Sequence, residues 1–120
     1  MTAGTYDITC EQGATFSRVL TWTDTGGSLV DLTGYSARMQ VRKTAEESAI
    51  AVSLSSTGTS TGIALGGVAG TITLLIPAAS TAAIPARSYV YDLELVSGAP
   101  SSVVTRLVKG AFVVDAEVTR

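Results

Sequence analysis

Catalysis and ligation need groups that titrate, attack or coordinate, and this chain holds few of them. Two carboxylate pairs are spaced i, i+2, Asp92 with Glu94 and Asp115 with Glu117, which on a strand puts both members on one face. Paired carboxylates cleave glycosidic bonds or bind calcium. The aspartate-rich loop of a calcium site is missing, however, and a polar strand face carries such pairs wherever it meets water or opposite charge. Arg38, Arg42 or Arg106 would supply that charge across a sheet. Cys10 is the single cysteine; it has no partner for zinc and reads as a small buried hydrophobe, not a reactive thiol. Histidine is absent, which removes the usual general base near neutral pH and the commonest transition-metal ligand. The glycine-rich GTSTGIALGGVAG lacks the Gly-Lys-Ser/Thr ending of a phosphate-binding loop, and no helical pattern follows it. The residues therefore predict a protein that is not an enzyme and that carries no metal and no cofactor.

Charge is equally restrained. The formal net charge is −2, with eight basic and ten acidic residues. The basic residues stand singly apart from Arg42-Lys43, so no footprint for nucleic acid or an anionic membrane is expected. The opening MTAGTYDITC has no basic region followed by an apolar run, and no apolar stretch approaches the length of a membrane span. A single cysteine rules out an internal disulfide and fits assembly in a cytoplasm.

The elements that must position these groups follow a period of two, the signature of strands with one inward and one outward row. Tyr35, Ala37, Met39 and Val41 alternate with Ser36, Arg38, Gln40 and Arg42. Tyr89, Tyr91, Leu93 and Leu95 alternate with Val90, Asp92, Glu94 and Val96. Ile8 and Cys10 follow Tyr6 on one parity, Ile72, Leu74 and Ile76 form another inward row, and Ile50, Val52 and Leu54 a third. Phe16, Leu20 and Trp22 do the same, although Arg18 falls on their parity and marks a bulge or a strand end. DTGG is a turn, with Gly26 and Gly27 free to take positive φ. SSTGTSTG is a surface loop, IAL and TITLLIP flank GGVAG as a hairpin, and AASTAAIP is a short helix or crossover. The run VVTRLVKGAFVVDAEV is β-branched on both parities, with Gly110 inside it, consistent with a bulge or with burial on both faces.

About seven or eight short strands, about ten residues apart and punctuated by glycine and proline, with at most one or two helical turns, predict an all-β sandwich. Residues 1–120 are expected to form one such domain, large enough to bury a core without staples. The aromatic residues Tyr6, Phe16, Trp22, Tyr35, Tyr89 and Tyr91 fall on the inward parity, which argues against a sugar-stacking surface.

Residues 12–42 and 88–120 together resemble a family of small structural proteins of tailed bacteriophages. The shared features are Gly13, Phe16 and Trp22, the turn Asp31-Leu32-Thr33-Gly34-Tyr35, residues 39–42, the strand Tyr91-Asp92-Leu93-Glu94-Leu95, and the closing Glu117-Val118-Thr119-Arg120. The middle of the chain, residues 43–87, is not covered. The resemblance implies an immunoglobulin-like β-sandwich, akin to collar proteins that attach tail fibres and to the N-terminal domain of upper baseplate proteins. It implies a virion part, assembled in the host cytoplasm, whose partners are copies of itself and other phage tail or virion proteins. The chain ends close to its last strand, with no receptor-binding extension, which under the resemblance favours an adaptor or collar over host adsorption. A capsid-decorating or head-fibre protein is the nearest alternative, and a small carbohydrate-binding module the alternative from another class.

Within this reading the outward row of residues 35–42 is a solvated sheet face, or else Arg38 and Arg42 reach carboxylates such as Asp92 or Glu94 of a neighbouring subunit. Arginine is enriched at interfaces and forms bidentate carboxylate pairs. Replacing both arginines with serine is expected to leave the chain soluble and to impair its assembly. Ring formation as efficient as the parent's would exclude an interface role for them.

Overall fold

The computed structural model describes residues 4–24, 26–56, 62–98 and 103–118. The closing Thr119 and Arg120, most of the SSTGTSTG loop and the tip of the SGAPS turn lie outside the described residues. The strands are β1 (Gly4–Thr5), β2 (Ile8–Glu11), β3 (Phe16–Thr21), β4 (Ser36–Arg42), β5 (Val52–Ser55), β6 (Ile63–Leu65), β7 (Thr71–Ile76), β8 (Ser88–Val96) and β9 (Val104–Asp115). A five-residue helix, α1 (Ala78–Ala82), lies between β7 and β8, and a 3₁₀ turn, Gly67–Ala69, joins β6 to β7. With β1 and β2 counted as two halves of one strand, eight strands among the described residues form two sheets. The larger sheet runs β1-β9-β8-β4-β5, with β2 also on β9, and the smaller runs β3-β7-β6.

The alternation that the sequence predicts is what closes the two sheets on each other. Ala37, Met39 and Val41 of β4 and Tyr89, Tyr91, Leu93 and Leu95 of β8 are buried, as are Ile8, Cys10, Phe112 and Val114. Phe16, Ile63, Ile72, Leu74 and Ile76 meet them from the smaller sheet, with Leu32 and Ile84 contributed by connections. Burial on this scale is the main stabilising term, at about 25 cal/mol per Å² of apolar surface removed from water. The all-β sandwich is therefore the observed architecture.

Local chemistry sets the turns between these strands. The Asp24 carboxylate accepts the N–H groups of Gly26 and Ser28 at 2.9 and 3.0 Å; only Gly27 of the two glycines takes positive φ, at 83°. The Asp31 carboxylate accepts both the N–H and the hydroxyl of Thr33, at 2.9 and 2.6 Å, while Gly34 takes φ 82°. These bonds hold the Asp31 carboxyl below the usual carboxylate range. Pro77, which has no N–H to donate, ends β7 and caps the helical crossover. The buried Thr81 on that helix accepts the Gly13 N–H at 3.0 Å and lies 2.8 Å from the Ala14 carbonyl. Gln12 bonds to the Ile84 carbonyl at 2.7 Å and to the Glu117 N–H at 3.0 Å. The crossover, the β2–β3 turn and the C-terminal segment are thus joined at one corner. At the start of β8, the Tyr89 hydroxyl donates to the Pro85 carbonyl, four residues upstream, at 2.6 Å.

Three expectations change. Arg18 marks neither a bulge nor a strand end: β3 pairs with β7 without a break from Phe16↔Ile76 to Thr21↔Thr71. Its guanidinium lies 5.4 Å from the Phe16 ring centroid, and its buried Nε has no hydrogen-bond partner. The smaller sheet ends at β3, and an inward-pointing charge on an edge strand opposes addition of a further strand there. Ile50 precedes β5 and is 44% exposed, so the inward row of that strand is Val52 and Leu54 only. Tyr6, Trp22 and Tyr35 are half-buried, not sealed in the core; Trp22 and Tyr35 pack edge to face with centroids 6.2 Å apart.

The ambiguous run resolves as β9, twelve residues long and central to the larger sheet. A register shift opposite Leu93/Glu94 skips Leu107, so a bulge is present, and Phe112 is fully buried. Gly110 serves another purpose. A Cβ there would overlap the Tyr6 carbonyl oxygen and lie 2.9 Å from its carbon and 2.8 Å from Asp7 Oδ1. The N-terminal strand breaks at Tyr6-Asp7 where it runs alongside this point, held by Tyr6 N–H to the Lys109 carbonyl at 2.9 Å and by Ala111 N–H to Asp7 Oδ1 at 3.0 Å. Gly110→Ala is expected to cost about 1–3 kcal/mol through overpacking. Urea unfolding would measure the loss, and hydrogen exchange should show residues 4–11 losing protection first; a variant as stable as the parent would contradict the close approach.

Candidate interaction face

The outer face of the larger sheet collects the four residues that the sequence marked as an interface. β4 pairs with β8 and β8 with β9, both antiparallel, so that Arg38, Glu94 and Arg106 form one cross-strand row and Gln40, Asp92 and Lys109 the next. Directly opposed residues on one face have side chains close enough to interact. Arg38 Nε donates to Glu94 Oε1 at 2.7 Å, and Arg106 Nε lies 3.3 Å from Asp92 Oδ2. Both carboxylates of the pair read from the sequence are therefore neutralised by arginines of the same chain. These ion pairs are exposed, at 57% and 26% for the Arg38 and Glu94 side chains, so each contributes at most about 1 kcal/mol.

Arg42 is held differently. Its guanidinium donates to the carbonyls of Glu47 and Ser48 and to Gln40 Oε1, each at 2.8 Å, and so anchors the loop after β4. Arg42, Arg106, Lys109, Asp92 and Val90 line an open groove of about 580 Å³ on this face.

The second carboxylate pair separates. Asp115 ends β9 on the outer face, whereas Glu117 lies beyond the strand, its carboxylate against Gly13, which takes φ 84°. In its place the fold brings Asp115 beside Glu11, because β2 pairs with β9 in parallel with Glu11↔Asp115 in register. No sequence pattern signals that juxtaposition. Among the described residues, no group of three or more His, Cys, Asp or Glu side chains is placed to hold a metal ion. Cys10 is buried, and burial pushes its thiol up from the usual value, with the Glu11 charge adding to the shift. That is the direction of an inert thiol.

Beneath the charged rows lies a buried hydroxyl. Tyr91 pairs with Gly110, and its hydroxyl donates a short hydrogen bond to the Tyr6 carbonyl across the space that the missing Cβ leaves. Burial pushes its pKa up to about 12, with the charges of Tyr6 and Asp7 as lesser causes. An unfolded tyrosine titrates near 10. A folded value above the unfolded one means that the stabilisation is complete below about pH 10 and is lost as pH rises towards 12. Burial raises Tyr89 as well, opposed by Arg87, and adds to the same alkaline loss. Tyr91→Phe is expected to lower stability at neutral pH by about 1–3 kcal/mol, because the Tyr6 carbonyl loses its donor. The same change should flatten the decline between pH 10 and 12; chemical denaturation across that range checks both, and an unchanged alkaline slope would refute the assignment.

Compared with known protein families and with curated proteins, the chain matches none.

Proposed function

We propose that this chain is a non-enzymatic structural protein of a tailed-bacteriophage virion, an adaptor of the collar or baseplate that self-assembles and helps to attach tail fibres. The observation that carries the reading is where several of the family-like residues among those described sit: they occupy the joints of the sandwich. Gly13 turns the chain between the sheets, Phe16 packs edge to face on Phe112, and Trp22 packs on Tyr35. Asp31 and Thr33 set the approach to β4, and Tyr91 ties β8 to the N-terminal strand. These residues pack, turn or brace the sandwich, which is what a scaffold requires.

The strand order supports the immunoglobulin-like part of the reading. β9, β8, β4 and β5 take the places of strands G, F, C and C′ of a variable-type sandwich, and β3, β7 and β6 those of B, E and D. Tyr89, at the start of the strand in the F place and bonded four residues back, has the geometry of a tyrosine corner. An assembly part uses such a scaffold to present rigid sheet faces, and this one presents ion-paired rows on one face. Electron microscopy of purified particles bearing a labelled copy of the chain tests the proposal. Label at the neck or tail tip is the expected result; label on the capsid would replace the adaptor reading with decoration, and label on no particle would overturn both.

A further inference from the structure

Arg18 lies on the inward row of β3, between Phe16 and Leu20, with its Nε buried and without a hydrogen-bond partner. It is in no ion pair among the described residues, and the Phe16 ring centroid stands 5.4 Å from its guanidinium. A buried charged group without a partner is costly, whereas one that meets a carboxylate forms a strong charge-assisted bond.

The strand that carries Arg18 has an open side. β3 ends the smaller sheet, while β1 and β2, which precede it in the chain, pair with β9 in the larger one. Backbone bonds fix which groups face that side. Gly66 N–H donates to the Thr71 carbonyl and Leu75 N–H to the Gly62 carbonyl, so the odd-numbered residues of β7 are directed at β6. Ile72, Leu74 and Ile76 are therefore directed at β3, where their partners in register are Leu20, Arg18 and Phe16. Trp22 N–H to the Gly70 carbonyl, at 2.9 Å, continues the same parity. The N–H and C=O groups of Ser17, Val19 and Thr21 consequently point to the open edge, and their side chains are exposed. At six residues β3 is the longest strand at a sheet end, against two, four, four and three for β1, β2, β5 and β6.

We propose that the open edge of β3 takes up an extended segment of a partner protein, antiparallel to it, that carries aspartate or glutamate where its inward row meets Arg18. An added strand draws affinity from main-chain bonds and specificity from alternate side chains. With the main-chain bonds made at Ser17, Val19 and Thr21, Arg18 falls in the non-hydrogen-bonded pair, where facing side chains stand closest. A carboxylate there meets the guanidinium at the seam between the sheets. Arg18 thus opposes any strand that leaves it unpaired and admits one that neutralises it. Phe16 and Leu20 on either side call for apolar partners, so the inward row of the segment reads apolar, acidic, apolar. β3 of a second copy does not meet this requirement. The antiparallel registers that join more than one of these free residues in each copy set Arg18 against Arg18, Leu20 or Trp22 of the other, none of which is acidic. The inference goes beyond the virion reading and stands on the sheet edge alone.

The probe is a strand-length peptide of alternating threonine and valine with one glutamate at its centre, blocked at both ends and offered to the whole chain. Amide exchange followed by NMR should show Ser17, Val19 and Thr21 exchanging freely in the chain alone and protected with the peptide, while Arg18 and Leu20, bonded to β7, are protected in both. Glutamine in place of the glutamate should weaken binding at least about tenfold, since one member of a charge pair is then missing. Arg18→Leu should stay folded, because an apolar side chain replaces an unpaired charge on an inward row, and it should reverse the preference, taking a valine-centred peptide over the glutamate one. The proposal is overturned by a glutamate peptide that does not bind, by equal binding of the glutamine peptide, by protection at another sheet edge, or by an Arg18→Leu chain with the parent's preference. Protection of Ser17, Val19 and Thr21 through self-association of the peptide-free chain would also overturn it. Failure of peptide binding leaves the virion reading standing, and a labelled chain found on no particle leaves peptide binding standing.

Discussion

Every strand of this molecule has one row of side chains that water disfavours and one that it accepts, and the two sheets exist because the first kind of row must be covered. Neither sheet is stable as a single layer, since its inner residues, Met39, Leu93 and Phe112 on one side and Ile72, Leu74 and Phe16 on the other, would remain in water. The same alternation decides where charge goes. With one parity committed to the core, Arg38, Asp92, Glu94, Arg106 and Lys109 have only the outer face of the larger sheet, and cross-strand register then pairs four of them.

The closure of the larger sheet by the N-terminal strand depends on a narrower condition. β1 and β2 run parallel to β9 and pass Gly110 closely, where only the absence of a side chain lets the Tyr6 carbonyl approach and receive the Tyr91 hydroxyl. The same parallel register brings Glu11 beside Asp115 on the outer face. The corner built by Gln12, Gly13 and Thr81 fixes the chain on the far side of that strand.

The proposed function is in keeping with how the reactive side chains are disposed. Of the carboxylates that might have served chemistry, Asp92 and Glu94 are ion-paired on an open sheet, Glu117 lies against Gly13 at a corner and Asp115 is exposed beside Glu11, while the thiol is buried. What the surface presents instead is order: rows of charge at fixed strand spacing on one side and small uncharged side chains on the other. Such faces suit rigid contact with neighbours in an assembly.

By itself, the sequence determined the class of fold, the inward rows of β2, β4, β7 and β8, the hairpin of β6 and β7, the helical crossover, and the outward position of Arg38, Arg42, Asp92 and Glu94. All of these are local, because a period of two, a proline or a glycine turn is legible within about ten residues. Only the tertiary structure decided that the strand of the inward Arg18 is an unbroken edge strand, that Ile50 stays in water, that β9 is bulged at Leu107, and that Gly110 makes room for the Tyr6 carbonyl of the neighbouring strand. It alone paired Asp92 with Arg106 and set Glu11 beside Asp115, two residues from opposite ends of the chain. Register between distant strands is chosen by how whole rows of side chains fit in the core, and that fit is a property of the closed sandwich, not of any one segment.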